Sequence, residues 1–164
     1  MQLSATEDID ASQDAIWARL SDMDVWEAQA SRQLGTPLRR DPPGPAAPGT
    51  VWEGTANLRG RATPIRMGLR EVTAPRRLLL AGTAGGLDLE IDALLEPLAS
   101  GRTRLTVVAG AGGRSIAARL ALQAAKLAQG RLESGLRRQL SLFAASLDRR
   151  ADRDAAGARA GGGT

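Results

Sequence analysis

Glu53 is the side chain whose type and setting come nearest to a reactive group, because a carboxylate on an otherwise apolar strand makes a useful general base. Its role depends on register. If Val51 and Thr55 face a protein interior, so does Glu53; a shift of one residue turns Trp52 inward and leaves Glu53 in water. Burying a large aromatic gains more than burying a carboxylate, which favours an inward Trp52. Little else could assist Glu53. The chain has no histidine, cysteine or tyrosine, which excludes disulfides, zinc sites of the Cys/His kind and Ser-His or Cys-His nucleophiles. No metal and no cofactor is expected. Any acid–base mechanism would rest on a carboxylate such as Glu53, an arginine or a bound water.

Two further groups invite a chemical reading. The string GAGGRS, residues 110–115, runs from a strand into a helix as a phosphate-binding turn would, but it has neither the lysine and spacing of a P-loop nor the third glycine of a dinucleotide motif. It reads as a strand-to-helix hinge. Arg119, Arg131, Arg137 and Arg138 could form a basic surface for a protein partner if they line up as one exposed stripe. The arginines alternate with apolar residues and no aromatic platform accompanies them, so no nucleic-acid partner is expected and a solvated helix face is the plainer reading.

Strands and helices must hold these residues. Leu3, Ala5 and Ile9 alternate with polar residues over 2–9, a first strand. Ser12 stands where an N-cap belongs, ahead of a short helix over 12–22; a second follows over about 24–34 through Val25 and Trp26. Residues 35–49 hold five of the eight prolines and read as a loop without regular structure, either a connector or a flap over a pocket mouth. Strands are expected over 50–57, 62–73, 77–83, 87–96 and 102–109, with Pro64 marking an edge or a bulge. Leu87, Leu89, Ile91 and Ala93 alternate with acids, and Ile65, Met67 and Leu69, then Leu105 and Val107, repeat the pattern, so neighbouring strands share one apolar face.

Residues 114–148 read as one long helix. Ile116, Leu120, Ala124, Leu127 or Ala128, Leu132, Leu136, Leu140, Phe143 and Leu147 recur at steps of three or four along one side. That stripe needs a sheet to cover it. Residues 150–164 lack apolar periodicity and are expected to be disordered, leaving one domain over 1–149.

Of 22 basic residues only Lys126 is lysine, and with the wealth of alanine this looks like coding bias. The net charge of +4 is unevenly spread, with an acidic front and a basic back. No apolar run reaches the roughly 20 residues of a membrane span, and the N-terminus is acidic where a secretory signal is basic and then apolar. The expectation is a soluble cytoplasmic protein with no membrane span. Nothing in the residues sets the oligomeric state.

The element order and several strings carry a resemblance: IDASQDAIWARLSDMDVW at 9–26, VTAPRRLLL at 72–80, LLEPLASGRTRLTV at 94–107 and GLRRQLSLFAASL at 135–147. The chain resembles the SRPBCC superfamily, also called START-like, and within it the polyketide cyclase/dehydrase and lipid-transport branch. The resemblance implies an α+β helix-grip fold: a curved antiparallel sheet of six to seven strands wrapped around a long C-terminal helix, with two short helices after the first strand. It also implies a hydrophobic cavity whose mouth is bordered by the short helices and loops. The expected lining is Trp26, Trp52, Met67, Leu69, Leu89, Ile91 and Leu105 on the sheet side, with Leu120 and Leu127 from the helix; Trp26 could instead be ordinary core. Such a chain would bind or carry a small hydrophobic or lipid-like ligand. The alternatives are an aromatic polyketide cyclase/dehydratase-like enzyme and a protein-interaction module using the basic helix.

Overall fold

A computed structural model describes residues 1–58 and 60–160. Seven strands form one curved antiparallel sheet: β1 (Gln2–Ile9), β2 (Arg39–Asp41), β3 (Val51–Leu58), β4 (Arg61–Thr73), β5 (Arg77–Ala84), β6 (Leu87–Pro97) and β7 (Thr103–Gly113). Their order across the sheet is β1-β7-β6-β5-β4-β3-β2, so every neighbour except β1–β7 is also consecutive in the chain. The helices α1 (Gln13–Leu20) and α2 (Met23–Leu34) follow β1, and α3 (Ile116–Leu127) and α4 (Gln129–Ala160) follow β7. This is the expected α+β architecture, with two short helices after the first strand and a long one at the C-terminal end.

Local chemistry sets most boundaries. The Ser12 hydroxyl accepts from the Ala15 amide at 3.2 Å and the Asp22 carboxylate from the Val25 amide at 3.3 Å, capping α1 and α2. Gly35, at φ 71°, ends α2 in the left-handed conformation that glycine adopts freely. Gly85 and Gly86, both at positive φ, join β5 to β6 in the two-residue turn whose twist suits a hairpin. A register shift between Leu69 and Glu71 bends β4 across the curved sheet.

Four expectations differ from what forms. Residues 39–41, inside the proline-rich segment, pair with β3 as a short edge strand. Pro64 lies in an interior strand, yet β5 stops at Ala84 opposite Ile65, so the ladder on that side ends before the proline. The C-terminal helix is broken at Ala128, where the backbone turns to φ −103°, ψ 11°; Gly130, a poor helix former, lies two residues on. Residues 150–160 continue α4 as a helix, every residue of them whose side chain is described being exposed, because a run of alanines, arginines and acids favours helix even without packing. Residues 161–164 lie outside the described residues.

The core lies between the concave face of the sheet and the inward sides of α1, α2 and α4. Ile9, Ile16, Leu69, Leu95 and Leu105 are its most deeply buried apolar side chains. Leu140 and Leu147 of α4 join this cluster, and Leu136 and Phe143 pack against it.

Candidate functional site

Strand register decides which residues meet. Met67 pairs with Trp52 and with Gly82, Leu80 with Ile91, and Ala93 with Val107, so these side chains emerge together on the concave face. Gly82 has to be glycine. A Cβ there would run into the Arg66 carbonyl and the Met67 backbone of the neighbouring strand. On the other side α2 presents Met23, Trp26, Glu27, Ala30 and Leu34, spaced so that they share one helical face. Leu136, Leu140 and Phe143 of α4 close the remaining side. These surfaces enclose a cavity of about 420 Å³.

The wall is almost wholly apolar. Among the described residues, Glu27 and Gln139 contribute the only polar side chains besides the two indoles. Both indole N–H groups are already engaged: Trp26 Nε1 donates to the Leu20 carbonyl at 2.9 Å, and Trp52 Nε1 to Glu27 Oε2 at 2.6 Å. Trp26 also stacks on Phe143, with ring centroids 6.0 Å apart and planes 27° from parallel, which ties α2 to α4 across the cavity.

Glu27 joins the apolar interior to a polar cluster. The same Oε2 accepts from Arg40 Nε at 2.6 Å, while Arg40 Nη2 donates to Asp24 at 2.5 Å and Nη1 to the Gly44 carbonyl at 2.9 Å. The Arg40 guanidinium lies 5.6 Å from the centre of the Trp52 ring, within reach of a cation–π attraction. Its hydrogen bond to Asp24, ahead of that to Glu27 and against the cost of burial, holds Arg40 above the ordinary arginine range. A second, outward concavity beside the cluster shares Glu27 and Leu38 with the cavity. Among the described residues, Glu27 is thus the one carboxylate that touches both the interior and the outer groove.

The expected lining residues divide. Trp26, Trp52, Met67, Ile91 and Leu105 stand on the cavity wall. Leu69 faces the same way but is sealed in the core at 1% exposure, and Leu89 lies half-buried nearer the β5–β6 turn. Leu120 and Leu127 are corrected: they point into solvent, 64% and 93% exposed, because α3 turns its other side to the sheet. Trp52 takes the inward register at 5% exposure. Glu53 consequently lies on the convex face, where Arg39 and Arg66 approach it at 2.5 Å and 3.3 Å. The carboxylate on the cavity wall is Glu27. Its signal was legible, since an acid at the fourth position after Met23 interrupts a stripe otherwise made of Met, Trp, Ala and Leu.

GAGGRS divides between a strand end and a helix cap. Residues 110–113 complete β7, and Ser115 caps α3 by accepting from the Ala118 amide at 3.1 Å. A Cβ at Gly113 would stand 2.9 Å from the Arg119 nitrogen, so this glycine lets α3 approach the strand.

In sequence, none of the curated proteins matches the chain. Solved structures share its fold. The Thermus thermophilus protein TTHA0849 superposes with TM-score 0.63 at 14% identity, over 92% of this chain and 99% of that one. Norcoclaurine synthase from Thalictrum flavum, as a point mutant in complex with a transition state analogue, gives 0.64 at 11%, over 92% and 96%. Ara h 8.0201 gives 0.53 at 10%, over 85% and 98%. Identities this low speak for architecture alone. The sequence itself supplies the rest: with residues 1–151 matching its model, the chain belongs to the family described as polyketide cyclase / dehydrase and lipid transport.

Proposed function

We propose that this protein binds and carries a small hydrophobic or lipid-like molecule between the sheet and α4. The observation that supports this most is the wall itself: about 420 Å³ bounded by aliphatic and aromatic side chains, with one carboxylate and one amide among the described residues. Each methylene moved from water into such a site contributes about 0.8 kcal/mol, so a modest ligand needs no charged contact to bind well. A polar end of the ligand would sit at Glu27, whose second oxygen carries no hydrogen bond among the described residues.

A second reading, catalysis of the cyclase or dehydratase kind, has one observation in its favour, namely Glu27 on the wall. That carboxylate is already held by Trp52 and Arg40, and no second acid or base lines the cavity beside it among the described residues. Acid–base chemistry ordinarily uses a partnered pair. The fold does not choose between the two readings, since a solved structure of norcoclaurine synthase of this architecture is a complex with dopamine and hydroxybenzaldehyde.

Titration with the apolar fluorophore N-phenyl-1-naphthylamine tests the carrier reading. One site is expected, with tryptophan emission quenched because Trp26 and Trp52 form part of the wall, and with little dependence on salt. Ile91→Asp should weaken the probe about tenfold or more by placing a carboxylate against it, whereas Glu27→Gln should change its affinity little. Absence of saturable binding by the wild-type protein would sink the proposal. Turnover of a polyketide-like substrate that Glu27→Gln abolishes, with probe binding intact, would replace it with the enzyme.

A further inference from the structure

We propose that the exposed side of α3 is a docking surface for an anionic lipid bilayer. The helix presents three of its four larger apolar side chains to solvent, Leu122 alone being turned toward the protein. Ile116, Leu120 and Leu127 are 77%, 64% and 93% exposed, and their spacing of four and seven residues puts them on one face. Ala117, Ala121 and Ala124 are exposed beside them, while the side turned toward β7 carries Ala118, Leu122 and Ala125. A helix that served only to cover a sheet would be arranged the other way round.

Charge identifies the occupant. Between Ser115 and Leu132 the chain carries Arg119, Lys126 and Arg131 and no acid. Arg119 and Lys126, seven residues apart, border the apolar stripe on one side, and neither they nor Arg131 form an ion pair among the described residues. At the elbow between α3 and α4, Leu127 lies in an open concavity whose rim carries Arg131 and Arg138. A leucine stripe edged by cations is the composition of a helix that lies in a membrane interface, its apolar face sunk among the acyl chains and its cations at the lipid phosphates. A second copy of the chain fits less well, because residues 115–132 offer no acid to pair with the cations of a partner's identical face. The assignment concerns the outer face of α3 and does not depend on what the cavity holds.

Co-sedimentation of the full chain with vesicles tests it. The wild-type protein should bind vesicles of phosphatidylcholine containing phosphatidylglycerol, bind pure phosphatidylcholine far less, and lose binding as salt is raised. Leu120→Ser combined with Leu127→Ser should lower vesicle affinity by about tenfold or more, and Arg119→Gln or Lys126→Gln by on the order of fivefold each. All four positions are exposed, so thermal unfolding should be unchanged, which separates lost docking from lost folding. Ile91→Asp should bind vesicles like the wild type, which keeps this result apart from that of the cavity. Failure of the wild-type protein to bind anionic vesicles, or equal binding by the double serine variant, overturns the proposal. So does light scattering that shows a dimer dissociated by the serine changes with no vesicle binding.

Discussion

α3 and the first half of α4 carry apolar residues at the same spacing and meet opposite surroundings. In α4, Leu140 and Leu147 are buried, and Leu136 and Phe143 pack on the core; in α3, Ile116, Leu120 and Leu127 face water. The turn at Ala128 separates the two. Periodicity shows that a helix has an apolar side, but the backbone direction at each end decides what that side faces. Here the break lets α3 follow β7 on Ala118, Leu122 and Ala125 while α4 lies along β1 and closes the cavity.

The largest expected effect breaks the comparison directly. Leu140→Ala should cost about 2 to 5 kcal/mol, the range for truncating a buried leucine, whereas Leu127→Ala should stay within about 0.5 kcal/mol of the wild type, as exposed positions do. Urea unfolding of both variants checks this. Equal midpoints would mean that the two helices do not differ in the way described.

A smaller effect probes how α3 is attached. Gly113→Val would force a side chain against the backbone of residues 118 and 119, which cannot move aside without lifting the helix. A loss of about 1 to 3 kcal/mol is expected, as for overpacking elsewhere, with amide exchange quickened throughout α3. Gly110→Ala is the control, since its Cβ would stand at an ordinary 3.9 Å from Glu90. Should both variants behave alike, close approach of α3 to β7 is not what the glycine provides.

The smallest effect belongs to β1, the strand beneath α4. On its convex side Asp8 accepts two hydrogen bonds from Arg104, at 2.7 Å and 3.0 Å, and the Arg104 guanidinium holds the carboxyl below its usual 3.8. A depressed folded value means that the pair's contribution is complete above the unfolded pKa and is lost as pH falls through the folded one. Acid unfolding followed at high and low salt should show a modest loss of stability below about pH 3.8 that Asp8→Asn removes. An acid limb identical in the variant would assign it to other carboxylates.

Much of the fold was legible because alternation is a short-range property. The Leu87 to Ala93 pattern and the Ser12 and Asp22 caps locate a strand and two helix starts from a few neighbouring residues. The same alternation put Met67, Ile91 and Leu105 on one face, and these line the cavity while Leu69 and Leu89 of that face do not; Trp26, on a helix, was expected at a cavity only through the family resemblance. β2 was not. A three-residue strand amid prolines has no periodicity of its own and exists because β3 offers it an unpaired edge. Glu27 is intermediate: its place in the stripe was visible, but its role depends on Arg40, 13 residues away along the chain, and on Trp52, 25 residues away.

Composition alone ruled out histidine and cysteine chemistry, since no arrangement supplies residues that are absent. Alternation and capping alone determined the succession of strands and helices, because those signals act within a few residues. Which carboxylate reaches the interior, where the long helix breaks and which of its leucines stay wet were decided only in three dimensions. Each of these depends on the register of strands and the path of a backbone, and hence on contacts between residues far apart in the chain.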